Sequence, residues 1–381
     1  MGDQHTHRAA EIPEIALNSI DETAHSYIGQ LEPYSLVRQF INNPPRGFHP
    51  EWLASGLCAF TAPFDILTTV EPTTRKRIER WIAYAYWQRW LKPKARFIGS
   101  TVTEYALFPS TSDPTALAHG LRASQSSLCP LLIIKDIPQS SPLLDAADNA
   151  WADTFVRACV DLGFILLDGQ ALAWVPIDFT SIDQYLSRLS RARRRNIRRK
   201  LRSRVGLEIQ TTPTGTAFAD DAIVDCFHAL YCNVYAQSDV HFDFLGRELL
   251  ASMLRDSGNG GVVFVYRHAG QMIGWNLCFE YGTALVDKYI GLSYPQARDH
   301  NLYAVSWMYN LEYARERGLR YFIAGWTDAQ AKVDLGAKLT FTRHAVYPQN
   351  WFVRLALRVL ARYFESDRVL SKDTQHVVTD T

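Results

Sequence analysis

GVVFVYRHAGQMIGWNLCFEYGTALVDKYI, residues 261–290, contains three runs of strand-forming residues set apart by turn punctuation. Gly260-Gly261 precedes the first run, Ala269-Gly270 separates it from the second, and Tyr281-Gly282 separates the second from the third. The spacing predicts strands over 261–267, 271–280 and 283–290, with a hairpin turn at His268–Gln271. Downstream, apolar spacing predicts a helix over 301–317 closed by Gly318, a strand over 319–324, a short helix over 328–335 and a strand over 338–347. Antiparallel strands followed by a helix and a returning strand fit an α/β fold built on a mixed, half-open sheet with helices on its faces.

Upstream, helices are expected over 219–236 and 243–256, preceded by a basic helix over 179–204. The first half reads as mixed α/β, with strands over 97–108, 131–134 and 163–167 and a helix over 147–161. A helix over 73–92 carries Trp81, Tyr84, Trp87 and Trp90 at three-residue intervals, a stripe more suited to a core than to a ligand. Residues 1–30 read as a loose arm. A last helix over 350–365 sets Arg354, Arg358 and Arg362 beside bulky apolar residues, a pattern that fits either packing on the domain or peripheral contact with an anionic membrane.

The 381 residues have a net charge of +1, unevenly distributed. Residues 1–180 hold 14 basic and 19 acidic groups, and residues 181–381 hold 26 and 20. Ten of the basic groups lie between Ser187 and Val205, a stretch without an acid, so the positive field is local and suits one anionic partner rather than nucleic acid at large. Arg193 falls within the apolar stripe of this helix and needs a carboxylate or an anionic ligand there, because an unpaired buried charge costs several kcal/mol. Arg193, Arg194 and Arg198 are the candidate anion-binding residues, and a solvated basic face is the alternative. The six cysteines form no CxxC pair and read as reduced thiols of a cytoplasmic protein. No signal-like or membrane-spanning run is evident.

The run Leu189-Ser-Arg-Ala-Arg-Arg-Arg-Asn-Ile-Arg-Arg-Lys-Leu201, the helix Tyr309-Asn-Leu-Glu-Tyr-Ala-Arg-Glu-Arg-Gly318 and the block Lys332-Val-Asp-Leu-Gly-Ala337 resemble the FemAB-like branch of the GNAT acyltransferase superfamily over about residues 180–340. The resemblance implies two tandem GNAT-like units, at 31–178 and 179–348, followed by a C-terminal helix and tail at 349–381. It also implies transfer of an acyl or aminoacyl group to an amine. The donor would be acyl-CoA, an acyl-carrier-protein thioester or an aminoacyl-tRNA, with no tightly bound cofactor; separately, Asp239, His241 and Asp243 offer one imidazole and two carboxylates, a weak set for a metal, and none is expected. The sequence departs from the family's pattern in two places. Residues 296–302 lack the glycines of a coenzyme A turn, and the family's Tyr-Lys pair is Ala331-Lys332.

Such chemistry needs a base for the ammonium, a donor to polarise the carbonyl and a proton for the leaving group. Strict alternation along 283–290 puts Asp287 and Tyr289 on one face, as amine-binding group or base and as acid. The alternative is a sheet edge at which Asp287 and Lys288 pair with neighbouring charges. Asn276, in an apolar strand, is a candidate to polarise the carbonyl or to satisfy a bulge. His241 and Asp243 are candidates for acceptor binding, with Asp243 alternatively an N-cap. Tyr303 and Trp326 are expected to wall a tunnel, Asp328 to cap its helix, and Lys332 to meet an anionic donor or the neighbourhood of Asp334. A non-catalytic scaffold that docks an anionic partner on the basic helix is the reading from a different class.

Overall fold

The structure is a computed structural model that describes residues 27–65, 80, 92–238 and 242–360. His241, the tail beyond 360, most of the arm over 1–30 and, apart from Arg80 and Lys92, the helix expected over 73–92 lie outside the described residues. The first half runs β1 (Tyr27–Ile28), α1 (Ser35–Asn42), β2 (His49–Trp52), β3 (Cys58–Pro63), β4 (Lys94–Ile98), β5 (Phe108–Pro109), α2 (Pro114–Gln125), β6 (Leu131–Gln139), α3 (Ala146–Asp161) and β7 (Ile165–Pro176). The second half opens with α4 (Ile182–Ser187), α5 (Arg191–Leu201), β8 (Glu208–Pro213), α6 (Asp221–Tyr235) and α7 (Arg247–Arg255). It continues with β9 (Gly261–His268), β10 (Gln271–Tyr281), β11 (Ala284–Leu292), α8 (Gln296–Asp299), α9 (Leu302–Glu316), β12 (Tyr321–Gly325), α10 (Ala329–Asp334), β13 (Lys338–Pro348) and α11 (Trp351–Leu360).

Local chemistry sets many of these bounds. Side-chain oxygens of Asp113, Asp145, Ser181, Ser190 and Asp220 accept from backbone N–H groups in the first turns of α2 to α6. Ala269 and Gly270 both take positive φ, 49° and 77°, the pair that matches a two-residue hairpin to the twist of its strands. The basic helix expected as one piece over 179–204 is two, because Ser190 leaves helical geometry to cap α5. β8 was not expected and forms the outer edge beside β9.

One eleven-stranded sheet runs in the order β2-β3-β4-β6-β13-β7-β12-β11-β10-β9-β8. The series β2–β3–β4, α2, β6, α3, β7 recurs as β9–β10–β11, α9, β12, α10, β13, and each series holds one parallel contact, β4 with β6 and β11 with β12. These are the two tandem mixed-sheet units implied by the resemblance. They exchange their last strands: β7 pairs with β12, β13 pairs with β6, and β7 and β13 pair with each other at the centre. The sheet is therefore continuous across the 178/179 boundary.

Two layers of helix cover the second unit. Val224 and Phe227 of α6 and Leu249, Leu250 and Met253 of α7 share a core with Trp275, Leu277 and Phe279 of β10. On the other face Tyr185 and Leu186 of α4, Ile197 of α5 and the apolar row of α9 pack on Cys278, Leu285 and Leu292. A Cβ at Gly291 would collide with the buried Trp275 indole, whose Nε1 donates to Phe227 O at 2.9 Å. Gly291→Ala is expected to destabilise by about 1–3 kcal/mol, read as a lower urea midpoint at unchanged slope. A midpoint equal to the parent's would contradict this packing.

Trp351, Phe352, Val353 and Leu355 of α11 are exposed, while Arg354 turns back onto Pro348 O at 2.9 Å and over the Tyr347 ring. This apolar row is thus not buried against the described residues. No helix among the described residues is long and apolar enough to cross a membrane.

Candidate active site

β11 and β12 pair only over Ala284–Val286 and Tyr321–Ile323, although β11 continues to Leu292 on its β10 side. Beyond Val286 the two parallel strands part, and Asp287, Lys288, Tyr289 and Ile290 are partly accessible after the buried Ala284, Leu285 and Val286, although the Lys288 side chain itself is buried. The β10–β11 register slips at the same place: Leu277 faces Tyr289, Cys278 faces Asp287, and Lys288 is the unpaired extra residue of a β-bulge. The bulge corrects the alternation read from the sequence. Asp287 turns toward α9, where Asn310 meets it, whereas Tyr289 turns to the opposite face and packs edge-on against Tyr231 of α6, ring centroids 6.3 Å apart. Burial first, then the charges on nearby Asp243 and Glu104, hold the Tyr289 phenol protonated.

Asp287 is held rigidly. Its Oδ1 accepts from Asn276 Nδ2 at 2.6 Å and its Oδ2 from Asn310 Nδ2 at 3.3 Å. Asn276 also donates to Tyr289 O, and its Oδ1 accepts from Asn310 Nδ2 at 2.7 Å and Cys278 Sγ at 3.3 Å. Asn276 is fully buried, and both its amide hydrogens are donated inside this network, to Asp287 Oδ1 and Tyr289 O. Burial pushes the Asp287 carboxyl up to about 6, opposed by the Asn276 hydrogen bond and the Lys332 charge. Asn310 was not singled out in the sequence, although an Asn on the buried face of α9 is the kind of residue that marks such a network.

Lys332, in α10, points back into the split. Its Nζ donates to Ala324 O at 2.5 Å and lies 3.9 Å from where a Gly325 Cβ would stand. Gly325 has φ 75°, so the chain turns away there while keeping this space clear. Burial lowers the Lys332 ammonium to about 8 against the opposing pull of Asp287, Glu104 and Asp328. Lys332 does not pair with Asp334, whose carboxylate lies 3.5 Å from Arg193. Tyr303, in the first turn of α9, has its phenol raised by burial and by the charges of Asp287 and Asp328. Trp326 follows Gly325 and stands edge-on to Tyr105, centroids 6.3 Å apart. Asp328 holds the N-cap position of α10 but, at φ 55°, makes no capping hydrogen bond. Asp243 is not an N-cap either, since α7 begins at Arg247 behind Gly246. Its carboxyl is raised by burial, against a hydrogen bond from Thr101 and the Lys135 charge.

Residues from the first unit also reach the split. The Lys288 ammonium pairs with Glu32 Oε1 at 3.1 Å and Glu104 Oε1 at 2.5 Å, and these three side chains are 7%, 0% and 2% exposed. Burial alone would depress this ammonium, but the two carboxylates keep it charged.

The basic helix lies on the Asp287 face of the sheet, bound to α9 and α10. Arg204 pairs with Glu312 at 2.7 Å, Asn301 donates to Ser203 Oγ at 3.1 Å, and Arg193 reaches Val333 O. Arg193 is half-buried and has its carboxylate, Arg198 pairs with Asp183 at 2.9 Å, and Arg194 reaches Ser187 O. Arg191, Arg195 and Arg202 form no ion pair with a described residue. Arg198 and Arg202, with Arg315 and Leu201, line an open groove of about 520 Å³.

Residues 147–379, more than half of the chain, match the FemAB-like family, described as one of peptidoglycan biosynthesis and recognition. The chain belongs to the FemAB-like family. No curated protein matches its sequence. Among solved structures, this FemAB-like chain shares its fold with FemX, at 11% identity and a TM-score of 0.52 over 88% of this chain and 96% of FemX. It is similarly close to L-PGS from Bacillus licheniformis, at 11% identity and a TM-score of 0.50 over 87% and 97% of the two chains. The C-terminal domain of an Agrobacterium fabrum protein described as a lysylphosphatidylglycerol synthetase has 12% identity and a TM-score of 0.50, over 85% and 94%. The family, one of transferase type, supports an acyl or aminoacyl transferase, and the solved structures show the fold.

Proposed function

We propose that this FemAB-like protein transfers an acyl or aminoacyl group from an activated donor on a phosphate-rich carrier to an amine, at the split between β11 and β12. The observation that carries the reading is the placing of one carboxylate and one ammonium, Asp287 and Lys332, with their ordinary acidities drawn toward neutrality, at the only interruption in the β11–β12 pairing. Asp287 takes a proton from the attacking ammonium. The amine nitrogen then bonds to the donor carbonyl carbon, and the Lys332 ammonium, with two hydrogens free beyond its bond to Ala324 O, stabilises the oxyanion. As the bond from the carbonyl carbon to the leaving oxygen or sulfur breaks, one of the two protons lost by the ammonium passes to that atom and the other to solvent. Asn276 and Asn310 serve as positioning residues for Asp287, and Tyr303 and Trp326 as walls.

The basic helix supports a polyanionic donor, since it flanks α9 on the face that carries Asp287. The stretch Gln296–Asn301 forms α8 and a left-handed Asn301 (φ 50°) with no glycine, which favours a donor held by side-chain cations over one held by a glycine turn. The test is mass spectrometry of acceptor amines incubated with charged tRNAs, carrier-protein thioesters and acyl-CoAs, together with donor affinity at rising salt. A tRNA donor should lose about a thousandfold or more in affinity between 50 and 200 mM salt, and a thioester donor far less. Absence of transfer from every donor would remove the reading and favour a binding scaffold.

A further inference from the structure

The two units treat their parallel strand pairs differently. In the first, pairing of β4 with β6 ends at Ile98 and Ile134, and the segment Gly99–Ala106 packs against Lys135 and Asp136, which continue β6. Ala106 N donates to Asp136 O at 3.1 Å, and the Lys135 ammonium donates to Ser100 O at 2.7 Å and to the Asp136 carboxylate. Ser100, Thr103, Glu104 and Tyr105 are buried in this plug. Among the described residues no such segment closes the second split, where the backbone stretch 287–290 stays partly accessible. Instead the first unit's plug walls it: Tyr105 meets Trp326, and Glu104 meets Lys288.

We propose that the first unit supplies a clamp, Glu32 and Glu104 on Lys288, that positions the bulge and sets the charge state of Asp287 beside it. The proposal rests on Asp287 being the working base. Lys288 is the extra residue of the bulge, so no strand partner fixes it, and its hold comes from residues 256 and 184 positions away in sequence. Glu104 N–H also donates to Glu32 Oε1 at 2.7 Å, locking the two carboxylates together. Burial raises the Glu32 carboxyl to about 7 against the Lys288 charge, so the cluster is near neutral below that pH and net negative above it, and Glu32 Oε2 and Glu104 Oε2 are both buried without a partner among the described residues. A strut that served stability alone would be as well made from apolar side chains. The charges facing this cluster are Asp243 before α7, Lys135 on β6, Asp287 on β11 and Lys332 on α10. Glu104 pushes the Asp287 carboxyl up and Lys288 pulls it down, so the two ends of the clamp act on the base with opposite sign.

The test uses the full chain. The titration of Asp287 is followed by 13C NMR, its carboxyl signal identified by its loss in Asp287→Asn, alongside kcat and KM against pH with whichever donor supports transfer. Glu104→Gln is expected to lower the Asp287 midpoint and Lys288→Met to raise it, each by about half a pH unit or more, with the acid limb of kcat following and KM within about threefold. Midpoints that stay put, or that move in the same direction, overturn the proposal. If Lys288→Met fails to fold, the sign of the Glu104→Gln shift decides alone. Midpoints that move as stated in a protein that transfers nothing leave the clamp standing and remove the transferase reading. Transfer with unmoved midpoints does the reverse.

Discussion

Asp287→Asn is expected to lower kcat by about a hundred- to ten-thousandfold, the usual worth of a positioned general base, while leaving the fold intact. The two consequences separate because of the sign of the acidity shift. The Asp287 carboxyl titrates at about 6 in the folded chain, above its ordinary 3.8, so the folded state holds the proton more tightly than the unfolded one. The stability this contributes is full below about pH 4 and is lost as the pH rises through about 6. At neutral pH the parent therefore carries a buried charge that costs on the order of 3 kcal/mol. Asn removes that charge but offers one oxygen in place of two to Asn276 and Asn310, a loss of about 1 kcal/mol. By urea unfolding the variant should be as stable as the parent or up to about 2 kcal/mol more stable, and still be nearly inactive. A stable variant with parental kcat would remove Asp287 from the chemistry.

The second large effect concerns Lys332. Lys332→Met is expected to cost about a hundred- to a thousandfold in kcat, the loss seen when an oxyanion donor is deleted, with a smaller change in KM. In the parent, kcat/KM should rise with pH as Asp287 loses its proton near 6 and fall as Lys332 loses its own near 8, giving a bell. Asp287→Asn should flatten the lower limb and Lys332→Met the upper one in whatever activity remains. A falling limb that survives in Lys332→Met would assign it to another group.

The second unit was legible in the sequence because each of its turns is written in residues with few alternatives. Ala269-Gly270 and Tyr281-Gly282 set the meander, and Gly318 ends α9. The break in the basic helix was present in the text too, since Ser181 and Ser190 are both N-cap residues, but the unbroken run of cations masked it. Asp287, Tyr303 and Lys332 could be proposed because charged or phenolic groups among apolar neighbours are conspicuous.

Tyr289 could not be placed. A bulge inserts one residue without changing the local pattern, and the single slip at Lys288 sends every later side chain to the other face. Glu32 and Glu104 had no local signal at all, since their meaning lies in contacts across the seam between units. The exchange of β7 and β13 was equally silent, because strand order depends on which edges meet rather than on what either strand contains.

Hydrogen exchange with unreactive amide analogues of charged tRNA and of acyl-coenzyme A tests the central claim most directly, that donor and acceptor meet where β11 and β12 part. The account predicts new protection at residues 287–290, 302–304 and 324–332, together with α5 for the tRNA analogue. Protection confined to α5 and its groove, with the split unchanged by either analogue, would contradict it.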